Sequence, residues 1–257
     1  MPTVAVTLGL MCLLSVALPA QVANKSASPE AQRANQHYRK GWDLMRSESW
    51  QQAATEFQVA IENDPKFALA YYALGRAYMG LHDFSKAIAA YSTCRDLYVK
   101  SGGERYSDQM AAARAIDDRI LEYRTAISAA QNSGLKSTAQ STQLYIRELQ
   151  TQIDRLEQAK QRNLDVPLSA SVPYFVPMSL GAAYFRSGRF ADAEREYKTA
   201  LEANPDSGET HSNLAVLYLM TDRLDQADRE LQLAEGTGFK VNPGLKDEIK
   251  KKIGTKR

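Results

Sequence analysis

The sequence predicts an all-α protein: an α–α superhelix of stacked helical hairpins that carries one long helical hairpin as an insertion. Three observations predict it. A pattern of small and bulky residues recurs at an offset of 34 residues near both ends of the chain. The stretch between the recurrences is also helical, with apolar residues stepping by three and four. Every periodic run has that step, and none has the step of two that a half-buried strand requires.

The recurrence is plainest in the last third. Leu180-Gly181-Ala182-Ala183-Tyr184, with Ala193, Tyr197, Ala200 and Pro205, aligns with Leu214-Ala215-Val216-Leu217-Tyr218, with Ala227, Leu231, Ala234 and Phe239. The front of the chain repeats it twice more, as Gly41, Leu44, Ala53, Phe57, Ala60 and Pro65, then Leu74, Gly75, Tyr78, Ala87, Tyr91 and Cys94. In each unit a large residue at the seventh position and an aromatic or Leu at the eleventh share one face of a first helix. The small eighth residue (Gly41, Gly75, Gly181, Ala215) permits close helix approach. Ala at the twentieth position answers it from the second helix, and a bulky twenty-fourth residue fills the space between hairpins. Pro65 and Pro205 close their units, because proline cannot continue the helical ladder and restricts the residue before it.

This pattern resembles the tetratricopeptide repeat family over residues 34–101 and 174–241, about half the chain. The units depart from it at the fourth position (His37, Tyr71, Pro177, His211) and where Val99 and Phe239 replace the final proline. The resemblance implies a repeat solenoid that holds another molecule. It implies further that positions two, five, nine, twelve and thirteen of each first helix line a concave face. In the first pair these are Asn35, Tyr38, Trp42, Met45, Arg46, Leu69, Tyr72, Arg76 and Met79. In the second they are Phe175, Met178, Ala182, Phe185, Arg186, Ser212, Val216, Leu219 and Met220. The surface is aromatic and methionine-rich with a few arginines, a composition that suits a docked protein or peptide. It lacks the Lys/Asn arrangement by which some relatives clamp a C-terminal carboxylate. Whether the groove is open, or filled by the long hairpin or the N-terminal segment, stays undecided at this level.

The ends are expected to serve export and capping. The first twenty residues carry no ionisable side chain and run apolar from Val4 to Leu18, ending at Ala20. They read as a secretory signal peptide (1–20), which implies an exported, periplasmic or envelope-associated protein without a membrane span after cleavage. The missing Lys or Arg before the run leaves an uncleaved anchor as the alternative. Residues 21–32 read as a disordered spacer. Residues 242–257 read as a capping helix and basic tail: Asn242-Pro243 starts it, and Leu245, Ile249 and Ile253 form a stripe that covers the last solenoid face. Cleavage leaves Cys94 alone, in a position that is Ala in the other three units, so it is expected to be a small core residue and no intramolecular disulfide forms.

Residues 102–173 break the repeat. Ala113, Ile116, Ile120, Tyr123 and Ile127 form one stripe and Ile146, Leu149, Ile153 and Leu156 another. Folding about the polar tip Gln131–Ser137 pairs Ala113 with Leu156, Ile116 with Ile153, Ile120 with Leu149 and Tyr123 with Ile146. That is a long antiparallel, coiled-coil-like hairpin, expected to stack between the flanking pairs or to project from them. Asn163–Pro173, with two prolines and no helical period, is expected to be an extended connector and hinge.

Catalytic and metal sites are not expected. The three histidines, His37, His82 and His211, form no cluster with metal-ligand spacing, and Ser101-Gly102-Gly103 reads as a helix stop, not a phosphate loop. The Asp117-Asp118 pair and Glu194/Glu196 belong on polar helix faces. With 32 basic and 30 acidic residues the chain is nearly neutral, which gives no argument for nucleic acid. No cofactor is implied. Two functions follow as expectations: a non-enzymatic envelope adaptor that takes a partner segment in the groove, or a structural protein in which hairpin 104–163 pairs with its own copy.

Overall fold

A computed structural model of the chain describes residues 28–103, 109–133, 139–161 and 172–256. Among these the protein is helical throughout and has no strand: α1 (Pro29–Arg46), α2 (Trp50–Asn63), α3 (Ala68–Gly80), α4 (Phe84–Gly103), α5 (Gln109–Ser133), α6 (Ala139–Gln161), α7 (Phe175–Arg186), α8 (Phe190–Ala203), α9 (Gly208–Met220), α10 (Leu224–Gly236) and α11 (Pro243–Lys256). The signal segment 1–20, most of the spacer, the tip from 134 and the connector to 171 lie outside the described residues.

Local chemistry accounts for the ends. Ser28 Oγ accepts from the Ala31 N–H at 3.2 Å and Pro29 opens the first turn, the favoured N-cap with proline just inside. The spacer prediction is therefore corrected over 29–32, which are already helical. Helices α2 and α8 stop at Asn63 and Ala203, two residues before Pro65 and Pro205. Where Val99 stands in place of that proline, α4 runs on to Gly103. It ends within the predicted stop Ser101-Gly102-Gly103, at its last glycine.

The turn between the paired helices has its own rule. The fifteenth residue of every unit is left-handed: Glu48 (φ 55°), His82 (φ 58°), Gly188 (φ 79°) and Asp222 (φ 58°). Only one of the four is glycine, so three units accept a costly conformation to reverse the chain. The eighth-position glycines meet the rings of the second helices. A Cβ at Gly41, Gly75 or Gly181 would lie 2.5, 2.6 or 2.7 Å from the ring of Phe57, Tyr91 or Tyr197.

The insertion does not interrupt the solenoid. Helix α4 packs directly on α7, as α2 packs on α3. At this junction Arg95 Nη1 reaches the buried Glu196 Oε1 at 3.2 Å. In the first and fourth units the equivalent glutamates pair within the unit, Glu56 with His37 Nδ1 and Glu230 with His211 Nδ1, each at 2.7 Å. The third unit has Pro177 where those have histidine, which leaves Glu196 for the arginine of the preceding pair.

Because the stack is continuous, the hairpin neither intercalates nor projects. It folds back on the concave side, α5 lying along α1. Its register also differs from the predicted one, in which Lys160 faces residue 109 and Glu157 faces Ala112. Lys160 Nζ instead holds Asp117, and Arg124 Nη2 holds Glu157 Oε1 at 2.7 Å. The helices are antiparallel but slid by about two to three turns relative to that prediction. The pairings Ile116–Ile153 and Ile120–Leu149 are thereby corrected. The physical reason is that α5 is not a two-stranded seam: Ile116, Ile120 and Tyr123 on one stripe, and Ala126 and Ala129 on another, are all buried. A helix apolar over so wide an arc takes the register that satisfies several neighbours.

The last two units are clipped together by Glu194, which takes Arg223 Nη2 at 3.1 Å, Lys198 Nζ at 2.7 Å and the Tyr218 hydroxyl at 3.1 Å. The Arg223 guanidinium foremost holds its carboxyl at about 2. The folded value lies below the unfolded one, so this contribution is present above pH ~4.5 and is lost as pH falls towards 2. Glu194→Gln is expected to cost on the order of 1 kcal/mol at pH 7, with the difference from wild type closing by pH 2–3 in thermal melts. At the end of the chain α11 seats Ile249 fully buried on α10, as a capping helix should.

Candidate functional site

Helices α1 and α3 do present the predicted side chains on one face, and α6 meets them there. Because α6 is slid, its first two turns lie opposite the end of α5 and enter the groove. Tyr145 is the result. Its ring stacks on Trp42 (centroids 6.1 Å apart, 26°) and on Tyr72 (5.5 Å, 12°), and meets Phe175 edge-on at 4.8 Å. One side chain of the insertion thus touches both repeat pairs. Offset stacking and edge-to-face contacts are the favourable arrangements for such rings. Burial raises the hydroxyl pKa of Tyr145 well above the usual tyrosine range and moves that of Tyr72 upward.

Polar contacts tie the hairpin to the groove. Glu122 Oε1 accepts the Leu69 N–H at 3.1 Å, at the start of α3, and pairs with Arg119 at 2.9 Å. Arg119 in turn reaches the Ser101 hydroxyl and stacks over Tyr98. Ser141 Oγ donates to Glu209 Oε1 at 2.8 Å. Burial pushes the carboxyls of Glu122 and Glu209 up, against the pull of Arg119 and of the Ser141 hydroxyl respectively. Between the two repeat pairs and α6 a cavity of about 300 Å³ remains, lined by Met45, Trp50, Arg76, Met79, Ala182 and Glu209 among others. Arg76 lies 4.9 Å over the Trp42 ring.

Two segments of the chain, residues 38–97 and residues 184–237, each match the tetratricopeptide repeat family. These two segments of the chain are tetratricopeptide repeats. No curated protein matches it. Solved structures that it resembles include PilW, described as a widely conserved type IV pilus biogenesis factor (18% identity, 87% of each chain covered, TM-score 0.39). Others are a thermophilic tetratricopeptide protein, TTC0263, from Thermus thermophilus (20% identity, 86% of this chain and 98% of that one, TM-score 0.32) and a tetratricopeptide repeat protein from Parabacteroides merdae (14% identity, 89% and 87%, TM-score 0.29).

The eighteen predicted groove residues divide between the two tetratricopeptide pairs. In the first pair Tyr38, Trp42, Met45, Leu69 and Tyr72 are buried beneath the hairpin. Asn35 is half-buried, its amide bonded to the Ala31 carbonyl at 2.8 Å. Arg46 is exposed and reaches the Asn132 carbonyl at 3.3 Å, while Arg76 and Met79 stand half-buried at the cavity rim. In the second pair Phe175 and Met178 are buried at the junction and Leu219 is buried too. Ala182, Phe185, Ser212 and Val216 are half-buried and Arg186 is exposed over the Phe84 ring. Met220, at 63%, is the most exposed large hydrophobic residue among those described.

Sequence reasoning missed Tyr145. The periodic signal for it was present, since Thr142, Tyr145, Leu149 and Gln152 are the buried stripe of α6. Two of those four are polar, so a reading by hydrophobicity alone settles on Ile146 and Leu156 one step round the helix. No group of three His, Cys, Asp or Glu side chains among the described residues is arranged to hold a metal, and no described helix is long and apolar enough to cross a membrane. Tetratricopeptide repeats are protein-interaction scaffolds, and that is the general class of this chain's function.

Proposed function

We propose that the protein is a non-enzymatic adaptor of the cell envelope, exported by residues 1–20, whose third and fourth units hold a segment of a protein partner on their concave strip. The observation that carries this reading is the exposure of Met220 beside the half-buried Ala182, Phe185 and Val216. A flexible, exposed thioether on the predicted groove face adapts to a partner's side chains. The alternative, self-association through the hairpin, has less support, because Ile116, Ile120, Leu149 and Ile153 are buried within one chain.

A photo-crosslinking residue at position 220 tests the adaptor reading in native cells. It is expected to trap one discrete partner in the envelope fraction, and Met220→Asp to abolish partner retention without lowering the melting temperature. Mass spectrometry of the trapped chain should start it near Gln21. Equal trapping from position 99, whose Val99 is also exposed but lies outside the strip, would remove the strip from consideration. An intact Met1 would replace the secreted form with an anchored one.

A further inference from the structure

We infer that the cavity between the two repeat pairs binds a free aromatic amino acid as its zwitterion, with the carboxylate on Arg76 and the ammonium on Glu209. This goes beyond the adaptor reading and does not depend on it.

Charge at the inward positions points to such a ligand. At positions two, five, nine and twelve of the four first helices, the only charged side chains are Arg76 and Glu209. Arg76 is the ninth residue of its unit and Glu209 the second of its own. They have opposite signs, come from different repeat pairs, and line one cavity of about 300 Å³. They do not close on each other. Arg76 pairs with no carboxylate among the described residues and lies 4.9 Å over the Trp42 ring. Glu209 Oε1 accepts the Ser141 hydroxyl at 2.8 Å. Arg95 and Glu196 also come from different pairs, yet they meet directly at 3.2 Å. Arg76 still draws the Glu209 carboxyl down against the stronger effect of burial, so the two charges sense each other without contact.

Opposite charges held apart at one small cavity match a molecule that carries both charges on neighbouring atoms. A free α-amino acid does so, and an internal peptide residue does not. The guanidinium fork suits a carboxylate, and an ammonium beside Glu209 favours its ionised form. The remaining walls select the side chain. Tyr72 and Phe175 are fixed by their contacts with Tyr145, while Met45, Met79 and Met178 adapt to what lies against them. Trp50 completes the lining because the second unit makes room for it. The thirteenth position is Arg46, Arg186 or Met220 in the other units and Gly80 in this one. A Cβ at Gly80 would collide with the Trp50 ring. The volume is at the small end of ligand pockets, which are apolar with a few placed polar groups.

Titration of the full chain with L-phenylalanine tests this, read by calorimetry and by tryptophan fluorescence. The two tryptophans are Trp42, beneath Arg76, and Trp50, in the cavity wall, and phenylalanine does not absorb where they are excited. Saturable binding with a sub-millimolar dissociation constant is expected. Phenylpropionate lacks the ammonium and phenethylamine lacks the carboxylate; each should bind at least about tenfold more weakly. Arg76→Gln should weaken phenylalanine at least about tenfold and leave phenethylamine unchanged. Glu209→Gln should weaken phenylalanine likewise and leave phenylpropionate no weaker. No heat and no fluorescence change up to about 10 mM phenylalanine would overturn the inference. Equal or tighter binding of N-acetyl-phenylalaninamide, which carries neither charge, would overturn it too and make the cavity a subsite for a partner's side chain.

Discussion

Phe57→Ala is expected to lower the stability of the chain by about 3–5 kcal/mol. The ring is fully buried, lies against Gly41, and meets Tyr38 at 5.8 Å. It fills the space between the first two hairpins, and helices held on both sides cannot collapse into the hole. Tyr197 occupies the same place in the third unit, beside Gly181, and Tyr197→Ala should behave alike. Trp42→Ala makes the useful contrast. Its ring is just as buried, but it lies between the repeats and the hairpin, stacked on Tyr145. Its loss should therefore release the hairpin before it unfolds the stack. Urea titrations followed by circular dichroism are expected to show one shifted transition for Phe57→Ala and an early, separate step for Trp42→Ala. A single transition shifted equally by both would show that hairpin and repeats unfold together.

The second large effect lies at the glycines. Gly41→Ala puts a methyl group 2.5 Å from the Phe57 ring, and overpacking of this kind costs on the order of 1–3 kcal/mol. The fourth unit already carries Ala at this position, Ala215, and opposite it stands Leu231 in place of a ring. The double variant Gly41→Ala/Phe57→Leu should recover part of what the glycine change loses. Thermal melts of the four proteins in that cycle should give a coupling of about 1 kcal/mol in favour of the pair. Strict additivity would mean that the two positions do not share a contact, against the packing described above.

Much of this architecture is legible in the sequence because a repeat unit is locally closed. Its spacings of seven, eight, eleven, twenty and twenty-four are satisfied inside one 34-residue stretch or by the next one along. Pro65 and Pro205 mark helix ends, and Ile249 marks the cap, for reasons that lie within a few residues. The placement of the groove positions was legible for the same reason: all eighteen lie on first helices. The left-handed fifteenth residue was less visible, since Glu48, His82 and Asp222 give no glycine to point to it.

By itself, then, the sequence determined the class, the four helical hairpins of the repeats, and much of the side on which each first helix is buried. Only the tertiary structure decided what covers that face. The apolar residues of α5 span too wide an arc to name one partner. The choice fell to long-range contacts that no local pattern encodes: Glu122 on the Leu69 N–H, Lys160 on Asp117, and Tyr145 among the rings of Trp42, Tyr72 and Phe175. Periodicity specifies which side of a helix is buried, whereas the neighbour it is buried against is chosen by the competition of whole surfaces in three dimensions.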